Sequence, residues 1–172
     1  MDSQEREVLL AVWGKEHERT ISVLESLPED QYDFRPDPEN RSIGEMAWHL
    51  AEGEGFMTNA ASVGTFDPGG STVEELKRPK TIAELAPAFD KVHQLAVARV
   101  TGLTEAQMGA LLAFPPGSET PVGDVLWTNV IFHSIHHRAQ LMLLTRQAGG
   151  TVPGIYGPNR EALPLKRPAG AS

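Results

Sequence analysis

The sequence VIFHSIHHRAQLMLL at residues 130–144 lies inside a longer segment of helical pattern at residues 121–148. His133 and His137 are four residues apart within it. Side chains at this spacing lie one above the other on the same face of a helix. Apolar residues flank that face at Leu126, Val130, Leu141 and Leu144. The pattern therefore predicts a long final helix that directs two histidines into the protein.

This pair of histidines has two interpretations. Two imidazoles at this helical spacing can chelate one divalent ion, whereas an amphipathic helix can also carry histidines on a polar face without any ligand. The inward orientation favours a partner, because a buried polar group without one costs free energy. A metal ion is such a partner. His136 points about 100° away from His137 and is not expected to bind the same ion.

A site held by two histidines needs a further ligand from another helix, and His49 is the strongest candidate. His49 belongs to WHLAEGE at residues 48–54 and lies on the apolar stripe of that segment. Taken alone, His49 also fits a core histidine that has a hydrogen-bond partner. His17 and His93 are weaker candidates for the ligand, and surface or packing roles are the alternatives for both.

Three further long segments with helical periodicity precede the final one, at about residues 3–27, 42–63 and 81–103. Ser42 with Glu45, and Thr81 with Glu84, form capping boxes that mark helix starts. A single turn at residues 72–77 and a short helix at residues 104–112 are predicted as connections. Pro121 suits the first position of the final helix. No strand is predicted.

Four long helices with connections of mixed length predict an all-α four-helix bundle with short connecting helices and an irregular C-terminal tail. The chain has 172 residues, close to the size of one domain. We assign residues 1–164 to a single bundle domain and expect residues 165–172 to form a flexible tail.

Composition excludes several classes of function. The chain has no cysteine, which rules out disulfides, cysteine-ligated zinc, iron–sulfur clusters and a cysteine nucleophile. Its formal net charge of -8 argues against nonspecific binding to nucleic acid and against docking on anionic membranes. The first residues, MDSQEREVLL, lack the basic and apolar regions of a signal peptide. A cytoplasmic location is therefore expected.

The sequence resembles a known family. The stretches LPEDQYDFRPDPENRSIGEMAWHLAEGE at residues 27–54, VIFHSIHHRAQLMLL at 130–144 and GGTVPGIYG at 149–157 are similar to the DinB-like metalloprotein superfamily of four-helix bundles. The resemblance runs from about residue 27 to residue 164. It implies that His49, His133 and His137 bind a divalent metal. The family often has glycine where this chain has Ala139, and we expect little consequence from that change.

Three neutral imidazoles would leave coordination positions open for water or substrate. They suit zinc, nickel or iron. Glu52 shares the face of His49, where it either supports that imidazole or acts as a base, or is simply an exposed glutamate. Gln140 is a second supporting candidate, with helix packing as its alternative. Tyr156 either reaches the pocket mouth or, as we prefer, anchors the tail, and Arg138 is expected to form an ion pair within the bundle.

The resemblance implies an enzyme that acts on a small-molecule substrate. One reaction is S-transfer with a low-molecular-weight thiol cosubstrate of the bacillithiol or mycothiol type, which a metal would activate as the thiolate. The other is hydrolysis by metal-bound water. A non-catalytic metal-binding or small-ligand-binding module is the alternative from another class, and a purely structural bundle is a third. Related bundles pair as homodimers, so a homodimer is expected.

Overall fold

Helices dominate the computed structural model, which describes residues 1–66, 76–114 and 117–163. Three long helices come first: α1 (Ser3–Glu25), α2 (Ile43–Val63) and α3 (Ile82–Gly102). A short helix, α4 (Glu105–Gly109), precedes two short strands, β1 (Leu111–Leu112) and β2 (Thr120–Pro121). The fourth long helix consists of α5 (Val122–Val125), a π-helical segment (Leu126–Phe132) and α6 (His133–Gln147). The predicted all-α four-helix fold is confirmed, and no helix of the described residues is long and apolar enough to cross a membrane.

Local chemistry explains where α2 begins and ends. Ser42 accepts a hydrogen bond from the backbone N–H of Glu45 at 3.3 Å, and the Glu45 carboxylate accepts one from the backbone N–H of Ser42 at 2.9 Å. This reciprocal pair is the predicted capping box, which satisfies backbone donors that the helix start leaves free. At the other end Gly64 has φ 79°, the left-handed conformation that glycine adopts without a steric penalty.

The connection before the final helix differs from the prediction. The short helix that was expected to reach Leu112 ends at Gly109, and β1 follows. Leu111 pairs with Pro121 in an antiparallel bridge, so Pro121 is extended and the helix begins at Val122. Strands of two residues carry no period-2 pattern that a sequence can display, and tertiary packing determines them. The predicted tail at 165–172 and most of the predicted turn at 72–77 lie outside the described residues.

The π-helical segment is the second departure from expectation. A continuous α-helix was predicted, but the backbone N–H of His133 donates to the carbonyl of Thr128, five residues earlier. Each π turn accommodates an extra residue, which changes the angle between side chains before and after it. The segment ends where the histidine motif begins, so it sets the orientation in which α6 presents that motif.

The core surrounds the central helix α2. Leu50 and Ala51 are fully buried in it, and α2 packs against both α3 and the final helix. Gly53 and Gly55 allow close approach in the middle of α2. A Cβ at Gly55 would lie 2.7 Å from the Leu76 side chain, and a Cβ at Gly53 would lie 2.8 Å from His133 Nδ1. The bundle therefore brings the histidine motif of the final helix directly against α2.

Candidate metal centre

Two helices bring three histidines together. His49 comes from α2, and His133 and His137 come from α6, one helical turn apart. One ring nitrogen from each lies within 4.8 Å of those of the other two. We call these residues the histidine triad. The three side chains that the sequence singled out as ligands are thus the three that the fold brings together.

The rings of the triad meet edge to face. Ring centroids are 4.9 Å apart for His49 and His133, 4.6 Å for His49 and His137, and 4.3 Å for His133 and His137. The ring planes are inclined by 67°, 78° and 69° respectively. Rings inclined in this way can each direct a nitrogen toward a shared centre, which is the arrangement that a tetrahedral metal site needs.

Neighbouring polar side chains hold two of the three rings. The Nδ1 of His49 lies 3.3 Å from the carboxylate of Glu52, and the Nδ1 of His137 lies 2.7 Å from Oε1 of Gln140. Both oxygens can only accept, so each Nδ1 carries the proton and donates it. The Nε2 of each ring therefore keeps its lone pair. Metal-binding histidines are commonly oriented in this way by an outer hydrogen bond.

His133 is held differently. Its Nδ1 is buried and has no hydrogen-bond partner among the described residues. That nitrogen faces Gly53 so closely that any larger residue there would displace the ring. A buried imidazole nitrogen without a partner costs free energy. Because this nitrogen lies against Gly53 of α2, an ion would bind at the other ring nitrogen, Nε2. The inclination of the ring toward His49 and His137 is what favours a metal site over a packing role.

The electrostatic environment favours the neutral form of His133 and His137. Burial is the largest cause that lowers the pKa of His133 to about 4, and the charges of His137, His49, His136 and Arg41 add to it. Burial also lowers the pKa of His137, although the hydrogen bond to Gln140 opposes this. Neutral imidazole is the form that binds a metal, so no proton has to be removed at pH 7. The donor set, three imidazoles without a thiolate or carboxylate, suits a transition metal such as zinc, nickel or iron.

A cavity of about 270 Å³ opens beside the triad. His49 and His133 form part of its wall, and Glu52 borders it. Its other lining residues are Arg41, Gly53, Phe56, Met57, Phe66, Phe114 and Asn129. A small molecule in this space would contact two histidines of the triad directly. The arrangement combines a candidate metal centre with room for a ligand.

The remaining predicted residues lie in two other places. Tyr156 donates its hydroxyl to Glu16 at 2.6 Å and accepts a hydrogen bond from Arg138 at 2.7 Å. Arg138 is almost fully buried and also pairs with Glu16, which confirms its expected ion pair within the bundle. Burial raises the pKa of Glu16, but the hydrogen bonds from Tyr156 and Arg138 outweigh it and hold that pKa below its usual value. Tyr156 thus ties the C-terminal segment to the bundle, and other residues line the cavity beside the triad.

His17 and His93 lie apart from the triad, between α1 and α3. Their rings stack at 3.8 Å with an angle of 9°. His93 is paired with Glu54 at 2.9 Å, and His17 with Asp90 at 2.9 Å. We call these two residues the core histidine pair. His136 is exposed and accepts a hydrogen bond from Gln140 Nε2 at 3.2 Å.

Sequence reasoning missed Gly53 and Arg41. The glycine between two glutamates in an otherwise helical segment was a usable signal, because glycine inside a helix often marks a close approach. Arg41 precedes the N-cap of α2 and gave no signal, since its place at the cavity depends on how the preceding loop packs.

A family model and a relative of known sequence match this chain. The family model described as the DinB superfamily matches residues 13–141. The chain is 33% identical over 156 residues to the uncharacterized protein YrdA of Bacillus subtilis (strain 168), and the match covers 88% of each protein.

Solved structures with the same fold come from two Bacillus species. A DinB-like protein from Bacillus cereus ATCC 10987 is 28% identical with a TM-score of 0.69, over 87% of this chain and 97% of that one. YfiT from Bacillus subtilis is 16% identical with a TM-score of 0.67, over 87% of this chain and 90% of that one. YfiT is described as a probable metal-dependent hydrolase with an unusual four-helix bundle topology.

Proposed function

The chain belongs to the DinB superfamily, and we propose that it is a metal-dependent hydrolase that acts on a small molecule. The histidine triad would hold one divalent ion, with zinc, nickel and iron as the candidates. The observation that carries the proposal is the convergence of three imidazoles, with one ring nitrogen from each within 4.8 Å of the others, beside an open cavity. The description of YfiT as a probable metal-dependent hydrolase supports the class of reaction.

The chemistry divides between the ion and the chain. A divalent ion bound by three imidazoles supplies Lewis acidity and lowers the pKa of water. Gln140 fixes the tautomer of His137, and Glu52 does the same for His49. Because the Glu52 carboxylate also borders the cavity, it is placed to accept a proton from an attacking water. Gly53 leaves room for the ring of His133.

Thiol-dependent S-transfer is a second reaction that the same centre would support. Its thiol would have to come from a cosubstrate of low molecular weight, because the chain contains no cysteine. A metal-binding or small-ligand-binding module without turnover is the non-catalytic alternative. Association as a homodimer and a cytoplasmic location also remain predictions, and light scattering in solution tests the first of them.

A reconstitution experiment separates these functions. Protein stripped with a chelator is reloaded with zinc, nickel or iron, and release of 4-nitrophenol from small 4-nitrophenyl esters is measured. We expect hydrolysis that depends on the metal, that falls in Glu52→Gln, and that disappears in the His133→Ala, His137→Ala variant. His136→Gln is the matched control from the same motif and should keep both metal and activity.

Each other result has a definite meaning. One metal per chain without ester hydrolysis, but with consumption of glutathione in the presence of an alkylating electrophile, would replace hydrolysis by S-transfer. One metal per chain with neither reaction would favour the non-catalytic module. Hydrolysis that is equal in the stripped protein and in the double variant would overturn the proposal, because the triad would then play no part in it.

A further inference from the structure

The cavity beside the triad is lined by both apolar and charged residues. Four of its lining residues are apolar: Phe56, Met57, Phe66 and Phe114. Two of these, Phe66 and Phe114, meet edge to face with their ring centroids 4.6 Å apart. A pair of this kind offers both faces and edges to a further aromatic ring. One wall of the cavity therefore favours an apolar ligand body, and aromatic groups above all.

A positive charge comes from Arg41, which lines the same cavity. It is exposed and forms no ion pair with any residue in the described ranges 1–66, 76–114 and 117–163. Its neighbours differ, since Arg35 and Arg78 share the carboxylate of Glu45 at 2.9 Å and 3.4 Å. Of Arg35, Arg41 and Arg78, Arg41 is therefore the one whose guanidinium has no carboxylate partner among the described residues and is available for a ligand.

Arg41 lies within electrostatic reach of the triad, since its charge contributes to the lowered pKa values of His133 and His137. Glu52 borders the same cavity and partly offsets that charge. A divalent ion on three neutral imidazoles would add two positive charges that no ligand neutralises. The cavity would then be positive within a protein whose formal net charge is -8, and such a local field attracts an anion.

Asn129 adds a side-chain amide to the residues that line the cavity. Its Oδ1 accepts a hydrogen bond from the Thr128 hydroxyl at 2.7 Å, while its Nδ2 has no partner among the described residues. A side-chain amide N–H can donate to a carbonyl oxygen of the ligand. The cavity volume of about 270 Å³ lies just below the ~300 Å³ at which ordinary ligand pockets begin, so the ligand must be small.

We propose that this cavity binds a small carboxylic acid with an aromatic body. The ring would lie against Phe66 and Phe114, and the carboxylate would pair with Arg41. This inference rests on the proposed function, since it names the substrate class for the same centre. The ester or amide that is hydrolysed would then carry a free carboxylate in addition to the bond that is cleaved.

The test uses four matched probes with the full chain: 3-phenylpropanoate, its neutral amide 3-phenylpropanamide, its cationic counterpart 3-phenylpropylamine, and propanoate, which lacks the ring. Each is titrated by calorimetry into zinc-loaded protein and into protein stripped with a chelator. We expect 3-phenylpropanoate to bind at least about fivefold more tightly than each of the others. Equal binding of the amide or of propanoate would overturn the proposal.

Two variants assign the preference to residues. Arg41→Gln should lose the preference for the acid over the amide, while it keeps one metal per chain. Phe114→Ala should lose the preference for phenylpropanoate over propanoate and keep the preference for charge. Arg35→Gln is the control, because it removes a neighbouring arginine that is already paired. If Arg35→Gln weakens binding as much as Arg41→Gln, the effect is general electrostatics and the proposal fails.

The design separates this inference from the proposed function. Protein that binds zinc and hydrolyses esters, but shows no effect of Arg41→Gln on the four probes, would retain the function and lose the inference. Protein that binds no zinc would lose the function. In that case the four probes are titrated into the stripped protein. Loss of the preference for the acid in Arg41→Gln would still support the inference, and a preference that Arg41→Gln leaves unchanged would contradict it.

Discussion

Two groups of histidines lie in this bundle, and they differ in how their rings meet. In the histidine triad the rings are inclined by 67° to 78°. In the core histidine pair, His17 and His93 are nearly parallel, at 9° and 3.8 Å. Inclined rings can bring their nitrogens to a common point, whereas the nitrogens of stacked rings lie in separate planes. Ring geometry alone makes the triad the better metal site.

The hydrogen-bond partners of the two groups also differ. Glu54 is 1% exposed and binds both His93 at 2.9 Å and the indole N–H of Trp13 at 3.0 Å. Asp90 holds His17 at 2.9 Å. Carboxylates from other helices therefore satisfy one nitrogen of each ring of the core pair. In the triad, Glu52 and Gln140 hold one nitrogen of His49 and of His137, and each comes from the same helix as its histidine. The triad also borders a cavity, so the inclination of its rings and the adjoining space distinguish it from the core pair.

The largest effect is expected from removing two rings of the triad. His133→Ala, His137→Ala should reduce zinc affinity at least about a thousandfold, since one imidazole cannot hold the ion alone. His17→Gln, the matched change in the core pair, should leave about one zinc per chain. Metal analysis of the tag-free protein measures both. Equal loss of zinc in the two variants would remove the distinction between the groups.

The core pair should instead respond in stability. Glu54→Ala leaves the indole N–H of Trp13 and the ring of His93 without their buried partner. We expect the free energy of unfolding to fall by about 3 kcal/mol, because each buried group that loses its partner costs ~1–3 kcal/mol. Urea titration measures this change, with zinc content measured in parallel.

Two further variants control that experiment. Glu52→Ala removes a carboxylate from the same helix whose side chain is 38% exposed, and it should change stability by no more than about 0.5 kcal/mol. Glu54→Gln keeps the shape of the side chain if the alanine variant does not fold. Loss of zinc in Glu54→Gln without loss of stability would show that the core pair and the triad are not separate.

The free energy of unfolding should depend on pH through His133. Its pKa is lowered from 6.5 to about 4 in the folded protein, so the unfolded chain binds a proton between these values and the folded chain does not. Stability in the presence of a chelator should be full above pH 6.5 and decrease as the pH falls toward 4. At ~1.4 kcal/mol per pKa unit, the contribution of His133 is at most about 3 kcal/mol.

His133→Gln should therefore flatten the decrease between pH 6.5 and 4, as measured by urea titration at a series of pH values. Burial and the neighbouring His93 also lower the pKa of His17, so His17 contributes in the same direction. His17→Gln should remove only its own share. A pH profile that His133→Gln leaves unchanged would contradict the lowered pKa.

The smallest expected change comes from one methyl group. Gly53→Ala places a Cβ 2.8 Å from His133 Nδ1, so the ring must move. We expect zinc affinity to fall about tenfold, since a displaced supporting contact typically costs 10–100-fold. Gly14→Ala is the control, because a Cβ there meets nothing within 4 Å. Calorimetric zinc titration distinguishes the two, and an unchanged affinity in Gly53→Ala would mean that the ring of His133 is not confined by α2.

Sequence patterns predicted the helices well, because apolar periodicity and capping residues such as Ser42 act locally. The π-helical segment was not predicted, since Leu126–Phe132 has the same apolar spacing that an α-helix would show. The triad was predicted because two ligands share one helical motif and His49 lies on the apolar stripe of another helix, and the family resemblance implied the same three residues. Arg41 and Phe114 belong to loops, and only the folded chain brings them to the cavity. The carboxylate partners of the core pair, Glu54 and Asp90, are likewise invisible from spacing.

We expect one metal ion on the histidine triad and none on the core histidine pair. X-ray absorption spectroscopy of the zinc-loaded protein identifies the donor atoms of the ion. We expect three imidazole nitrogens at about 2.0–2.1 Å from zinc, with an oxygen donor in the remaining position, and the loss of this imidazole signal in His133→Ala, His137→Ala. A zinc site built from oxygen donors alone, or one whose imidazole signal disappears with His17→Gln, would mean that the ion does not sit on the triad.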